Sequence, residues 1–169
     1  VARRSSSGEP FGALGDGRVA VHLGDVEREV LTSLVPHIRA MLTGDDDPSL
    51  ERLRPPAHAA DPGVDAEYQQ LMGNDLAASR ERALDTMEAS LTSDELDPAG
   101  VEAWMHTLNA VRLVLGTRLG IDDDRDPTDG PLAAPGQAPD DPEAEARFVY
   151  LWLSELLDAL VNAAWGNPD

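Results

Sequence analysis

The chain has 169 residues, and its 13 basic residues, all arginine, stand against 32 acids for a formal charge of −19. That length accommodates one hydrophobic core without metal or disulfide staples, while so negative a surface opposes direct binding of DNA or RNA. Cysteine is absent, which excludes disulfides, thiolate metal sites and thiol redox chemistry.

Val1 to Pro10 contains Arg3, Arg4 and the run Ser5 to Ser7 with no apolar stretch behind them. A disordered tail over residues 1–10 and no secretory signal are therefore expected. No run approaches the ~18 apolar residues that a membrane span needs, so a cytoplasmic protein that avoids anionic lipid is expected.

From Phe11 the pattern predicts a short hairpin. Phe11 to Leu14 leads into Gly15-Asp16-Gly17, and Val19, Val21 and Leu23 then alternate with Arg18, Ala20 and His22. Asp25 is placed to cap a helix running to about Leu42, with Val26, Val30, Leu31, Leu34, Ile38, Met41 and Leu42 as its apolar stripe. Pro36 inside it predicts a kink or a break. Gly44 to Pro62, rich in Asp and Pro, reads as loop with room for one helical turn around Ser49 to Leu53.

A second helical stretch starts near Pro62 or Asp65, carries Tyr68, Leu71 and Met72, is expected to break at Gly73-Asn74, and resumes from Asp75 to about Leu91. Asp97-Pro98 sets a capping acid before a proline at the first helical position and opens a helix to about Leu119, ended by Gly120. Leu108 to Leu115 is apolar almost all round, which predicts a central helix or one buried in an oligomer. Residues 122–141, with four prolines and no periodicity, read as a flexible linker. Asp141-Pro142 repeats the start signal for a last helix to about Trp165, expected to return antiparallel onto the central one. The predicted fold is mainly α, a bundle of four to five helices with a short N-terminal β-hairpin. It divides into a helical domain over 11–121, the linker, and a C-terminal helix over 142–166 on the same core. Trp104, Leu108, Leu115, Trp152, Leu156 and Leu160 are its expected core.

Few residues carry chemistry. Counted from Asp122, the sixth and twelfth positions of a calcium loop fall on Pro127 and Ala133 where Gly and Glu are needed, so the acidic runs read as solvated loops. His22, His37, His58 and His106 place no two rings on one helical face. Nucleophile elbows, phosphate loops and dinucleotide fingerprints are missing. No catalytic residue, metal site or cofactor is expected.

Arg112 is the most informative side chain. At ~100° per residue it falls on the face of Val101, Met105, Leu108 and Leu119 with Gly116 beside it. A buried guanidinium needs a partner, and removing one costs about 3–5 kcal/mol. Glu27, between Val26 and Val30 on the first helix, is the first candidate; Glu81 and Glu88 are alternatives. The pair reads either as a structural ion pair that fixes helix register or, with Asn109 and Tyr150, as a small-molecule site.

The segment Trp104 to Ile121 contains the block Leu108-Asn109, Arg112-Leu113, Leu115-Gly116-Thr117-Arg118-Leu119-Gly120. It resembles the signature of an actinobacterial domain-of-unknown-function family encoded beside the ClpS adaptor and labelled the oxidative-stress transcriptional regulator AosR family. Glu27 to Leu31, Asp65 to Tyr68 with Asp75-Leu76, and Val149 to Leu153 extend the resemblance from about Phe11 to Val161. Leu108, Asn109, Arg112, Gly116, Thr117 and Arg118 are its signature positions. The resemblance implies a small non-enzymatic helical regulator in the oxidative-stress response. With −19 of net charge, a protein partner from the transcription machinery is more plausible than DNA. An accessory role in the Clp proteolytic system is the alternative the gene neighbourhood implies. Leu151, off the apolar stripe of the last helix, allows a homodimer.

Overall fold

The computed structural model describes residues 8–43, 50, 53, 62–121, 128 and 141–165; in the helix from residue 62, side chains are described at 73 and from 75 onward. Residues 1–7 of the tail expected over 1–10, most of the loop expected over 44–62 and nearly all of the 122–141 linker lie outside these residues. Among the described residues the fold is mainly α, as the periodicity predicts, with four helices and a three-stranded antiparallel sheet.

Strands β1 (Phe11–Gly15) and β2 (Arg18–Val21) form the hairpin, pairing Phe11 with Val21 and Ala13 with Val19. Asp16 and Gly17 turn the chain with φ of 53° and 74°. Two successive positive φ angles define the turn that matches strand twist, which is why an Asp-Gly pair stands there. A third strand, β3 (Glu95–Leu96), adds to β2 through Val19 and Ala20. Two residues are too short to show a periodicity, and the sequence reading has no strand there.

Helix α1 spans Asp25–Thr43. Its cap lies one residue earlier than expected: the Gly24 carbonyl accepts from Arg28 N–H at 3.0 Å, and Gly24 N–H donates to Glu27 Oε2 at 2.8 Å. That is the back-reaching half of a capping box. Pro36 does not interrupt the helix. Its ring removes the hydrogen bond to the Thr32 carbonyl, but Thr32 and Pro36 are both exposed, so water reaches the orphaned group. Helix α2 (Pro62–Ser90) likewise runs through Gly73-Asn74 without the expected break. A mid-helix glycine costs only about 1 kcal/mol, too little to split a 29-residue helix.

Helix α3 (Pro98–Arg118) has both of its expected ends. Asp97 Oδ1 accepts from Gly100 N–H at 2.7 Å. At the other end Gly120, φ 63°, lets Gly120 N–H reach Thr117 O at 3.2 Å and Ile121 N–H reach Gly116 O at 2.8 Å, a Schellman closure. Helix α4 (Pro142–Trp165) starts under Asp141, whose Oδ1 accepts from Ala144 N–H at 3.1 Å.

The central helix is α3, packed against α1, α2 and α4 and meeting β2 and β3. Trp104 is fully buried at its first half, edge-on to Phe11 with ring centroids 5.9 Å apart. Its indole N–H donates to Ser90 Oγ at 2.8 Å. Leu108, Leu115, Leu156 and Leu160 are core as expected, whereas Trp152 is only partly buried and lies against the core from outside.

Candidate functional site

The pairing of Arg112 with Glu27 does not form. Glu27 is engaged at the start of α1, where its carboxylate satisfies Gly24 N–H. Arg112 is half-buried, and its Nη2 meets Asn109 Oδ1 at 3.4 Å, one helical turn back on α3. Glu81 and Glu88 are engaged elsewhere too. With Asp85 they surround Arg39 of α1, at 3.9 Å from Glu81, 2.8 Å from Asp85 and 2.7 Å from Glu88. Hydrogen bonds to Asp85 and then Glu88 hold the Arg39 pKa above the ordinary arginine value. The three acids, on one face of α2, are a clamp for α1.

Gly116, near the end of α3, faces Tyr150 of α4. A Cβ there would stand 3.4 Å from Tyr150 Cε2. The seam between the two helices therefore runs past Gly116 and Tyr150, with Arg112 one turn back along α3. The structure brings Asn109 and Arg112 together on α3, sets Tyr150 against Gly116, and leaves Glu27 in its own capping bond.

Sequence reasoning missed two other arginines that the fold buries largely or fully. Arg28 of α1 is 15% exposed and donates to the carbonyls of Leu23 at 3.1 Å, Leu91 at 2.6 Å and Ser93 at 2.9 Å, and to Asp94 Oδ1 at 3.1 Å. It ties the start of α1 to the turn between α2 and β3. Arg147 of α4 is 1% exposed, with Nη2 on Glu143 Oε1 at 2.7 Å. The buried cation expected at Arg112 is thus found at Arg147. A groove of about 240 Å³ lies between α1 and α2, lined by Arg39, Leu42, Ala77, Arg80 and Leu84 among others. Arg80 is buried there and donates to Leu53 O.

Among the described residues, no group of three His, Asp or Glu is placed to hold a metal ion, and no helix is long and apolar enough to cross a membrane. What the architecture defines is a small helical domain built around one buried helix, with a polar edge at Asn109 and Arg112. The chain matches the family model DUF2017, a domain of unknown function, over residues 8–164, and it belongs to that family. Neither a curated protein nor a solved structure matches it.

Proposed function

We propose that this protein is a non-enzymatic regulator that works through contacts with other proteins, in the manner of the AosR-type oxidative-stress transcriptional regulators of actinobacteria that its α3 block resembles. The observation that carries this reading is how that block divides in space. Leu108, Leu115 and Leu119 are buried, Gly116 admits Tyr150, and Gly120 closes the helix. Packing and backbone geometry account for all five. Asn109, Arg112 and Thr117 are only partly buried and Arg118 is exposed, so the core does not account for them. Of these, Asn109 and Arg112 lie one turn apart on one edge of α3 and offer a contact surface.

The charge of −19 directs that contact toward protein rather than DNA. With no cysteine among the 169 residues, an oxidant signal reaches the chain through its partner and not through a thiol of its own. The test is a binding titration on labelled promoter DNA at several salt concentrations, beside binding to purified RNA polymerase holoenzyme and to purified Clp ATPase with its adaptor. Capture of a polymerase or sigma component, weakened by Asn109→Ala and Arg112→Ala and without DNA binding at physiological salt, is expected. Tight, salt-sensitive DNA binding would overturn the reading, and capture of the Clp components alone would replace it with the accessory role.

A further inference from the structure

The outward side of the α3–α4 pair carries two strips with the spacing of a helix–helix seam. On α3, Glu102, His106, Asn109 and Leu113 recur in steps of four and three; on α4, Leu151, Glu155, Asp158, Asn162 and Trp165 do the same, and none of these residues is buried. Gly116, near the end of α3, meets Tyr150 in the first half of α4. β1, which touches the first half of α3 through Phe11 and Trp104, also packs on α4, so from Tyr150 onward α4 runs back along α3. On each helix the strip follows the contact residue in the same rotational sense, by about 50° on α3 and about 110° on α4 at ~100° per residue. In antiparallel helices equal senses turn both strips to one side, where they flank a single groove.

This groove is built to attract cations. Glu102, Glu155 and Asp158 are exposed, none of them forms an ion pair among the described residues, and no arginine stands on either strip. Arg112 lies round the helix toward Val101 and Leu108. Trp165 is 73% exposed. Glu102 stands fourteen residues back along α3 from Gly116, and Trp165 fifteen residues on along α4 from Tyr150, so equal rises per residue set the two at the same end of the groove. An indole face and a carboxylate at one place recognise a guanidinium or an ammonium together. At the other end, beside the Gly116–Tyr150 contact, Leu113 and Leu151 are partly buried yet belong neither to the core cluster nor to the side chains packed against it. A second copy would set carboxylates against carboxylates, and nucleic acid would add further anions. A basic amphipathic helix meets the acids, the indole and the leucines at once.

We propose that the α3–α4 groove docks a basic amphipathic helix of a protein partner, with lysine or arginine on Glu102, Glu155, Asp158 and the Trp165 indole, and apolar side chains on Leu113 and Leu151. The inference rests on reading α3 as a helix that meets protein, and it names the chemistry of what is met. The net charge of −19 draws cations to the whole chain, so selectivity lies in Trp165 and in the placing of the three acids. The attraction falls as salt screens it, over a Debye length of about 8 Å at 0.15 M.

Fluorescence anisotropy of a labelled amphipathic peptide of leucine, lysine and arginine, titrated with the full chain, tests it. About 18 residues are enough, at 1.5 Å each, to span the groove. Binding that weakens with added salt is expected, and a scrambled peptide of the same composition should bind about tenfold more weakly or worse. Trp165→Ala, and Glu102→Gln combined with Asp158→Asn, should each weaken binding about fivefold or more. Glu29→Gln combined with Asp75→Asn removes the same charge from exposed positions off the groove and should leave binding unchanged. Circular dichroism confirms that all three variants fold. No binding overturns the proposal, as does equal binding of the scrambled peptide, indifference to both groove variants, or an equal loss in the off-groove pair. If the peptide fails to bind while a polymerase component is still captured through Asn109 and Arg112, this proposal falls and the regulatory reading stands. If the peptide binds in the groove but neither polymerase nor Clp components are captured, the docking groove stands and the regulatory reading falls.

Discussion

Arg28 offers the sharpest test of how this fold is held. Replacing it with alanine removes three short hydrogen bonds to the carbonyls of Leu23, Leu91 and Ser93, a 3.5 Å contact to Val21 O, and the ion pair to Asp94. The Asp94 side chain is 96% exposed, so that pair contributes at most a fraction of a kcal/mol. The three carbonyl bonds come from a charged donor in a largely buried setting, at about 1 kcal/mol or more each, so Arg28→Ala should cost about 3 kcal/mol. Arg28→Lys should recover no more than a third of this, because one ammonium cannot span carbonyls that a planar fork reaches from three nitrogens. Urea unfolding followed by circular dichroism measures the loss as a lower midpoint with an unchanged slope. Asp94→Asn is the control and should move stability by less than about 1 kcal/mol. If Arg28→Ala falls within 1 kcal/mol of the parent chain, or Asp94→Asn costs as much, the guanidinium does not carry the junction and the reasoning fails.

Other substitutions separate effects of opposite sign. At Arg147, buried with a single carboxylate bond, Arg147→Met should be neutral or stabilising, while Glu143→Ala should cost about 2 kcal/mol, discounted because Glu143 is 60% exposed; thermal denaturation of the two variants reads the contrast. Gly116→Ala should gain a few tenths of a kcal/mol, since helix propensity favours alanine by about 1 kcal/mol and the added methyl meets Tyr150 at an ordinary contact distance. The same change at Gly120, where φ is 63°, should cost about 1 kcal/mol or more, and urea midpoints that move the same way for both would refute the distinction. With its pKa raised by hydrogen bonds to Asp85 and then Glu88, Arg39 should stay charged above the ordinary arginine range in an alkaline titration. A raised pKa keeps its stabilising contribution fully present below the ordinary arginine value and loses it only higher still, so Arg39→Gln, which removes the charge, should lower stability by the same amount at every pH between 7 and 10 in urea unfolding.

What the sequence shows clearly is local. Asp97-Pro98, Asp141-Pro142, Gly120 and the Asp16-Gly17 turn each act within four residues, and the structure has a helix end or a turn at every one of them. Pro36 and Gly73 are also local signals, but the expectation built on them fails because their cost is set against long helices with a solvated face. β3 is invisible for a different reason: Glu95 and Leu96 become a strand only because β2 lies beside them. Arg28 is equally hidden, since its partners at Leu91 and Ser93 stand 63 and 65 residues away and are main-chain atoms with no side-chain signature.

The two arginines on α3 and α4 show where a helical wheel stops being informative. A wheel gives a residue's angle on its own helix, not what stands opposite. Arg112 lies near the apolar stripe of α3 but at the edge where α4 begins, so it is only half-buried; Arg147 lies well off the Leu153 and Leu160 stripe of α4 and is nonetheless covered. The same geometry limits where function can sit. Because α3 packs on three other helices, most of its circumference is already committed to the core, from Val101 and Trp104 through Thr107 to Leu115. The strip of Glu102, His106, Asn109 and Leu113, with Arg112 at its border and Arg118 at the helix end, is what α3 leaves open. A partner recognised by this helix must therefore be recognised through those side chains and the neighbouring surface of α4, and substitutions there should alter association while leaving the unfolding free energy from urea titration within about 0.5 kcal/mol of the parent chain.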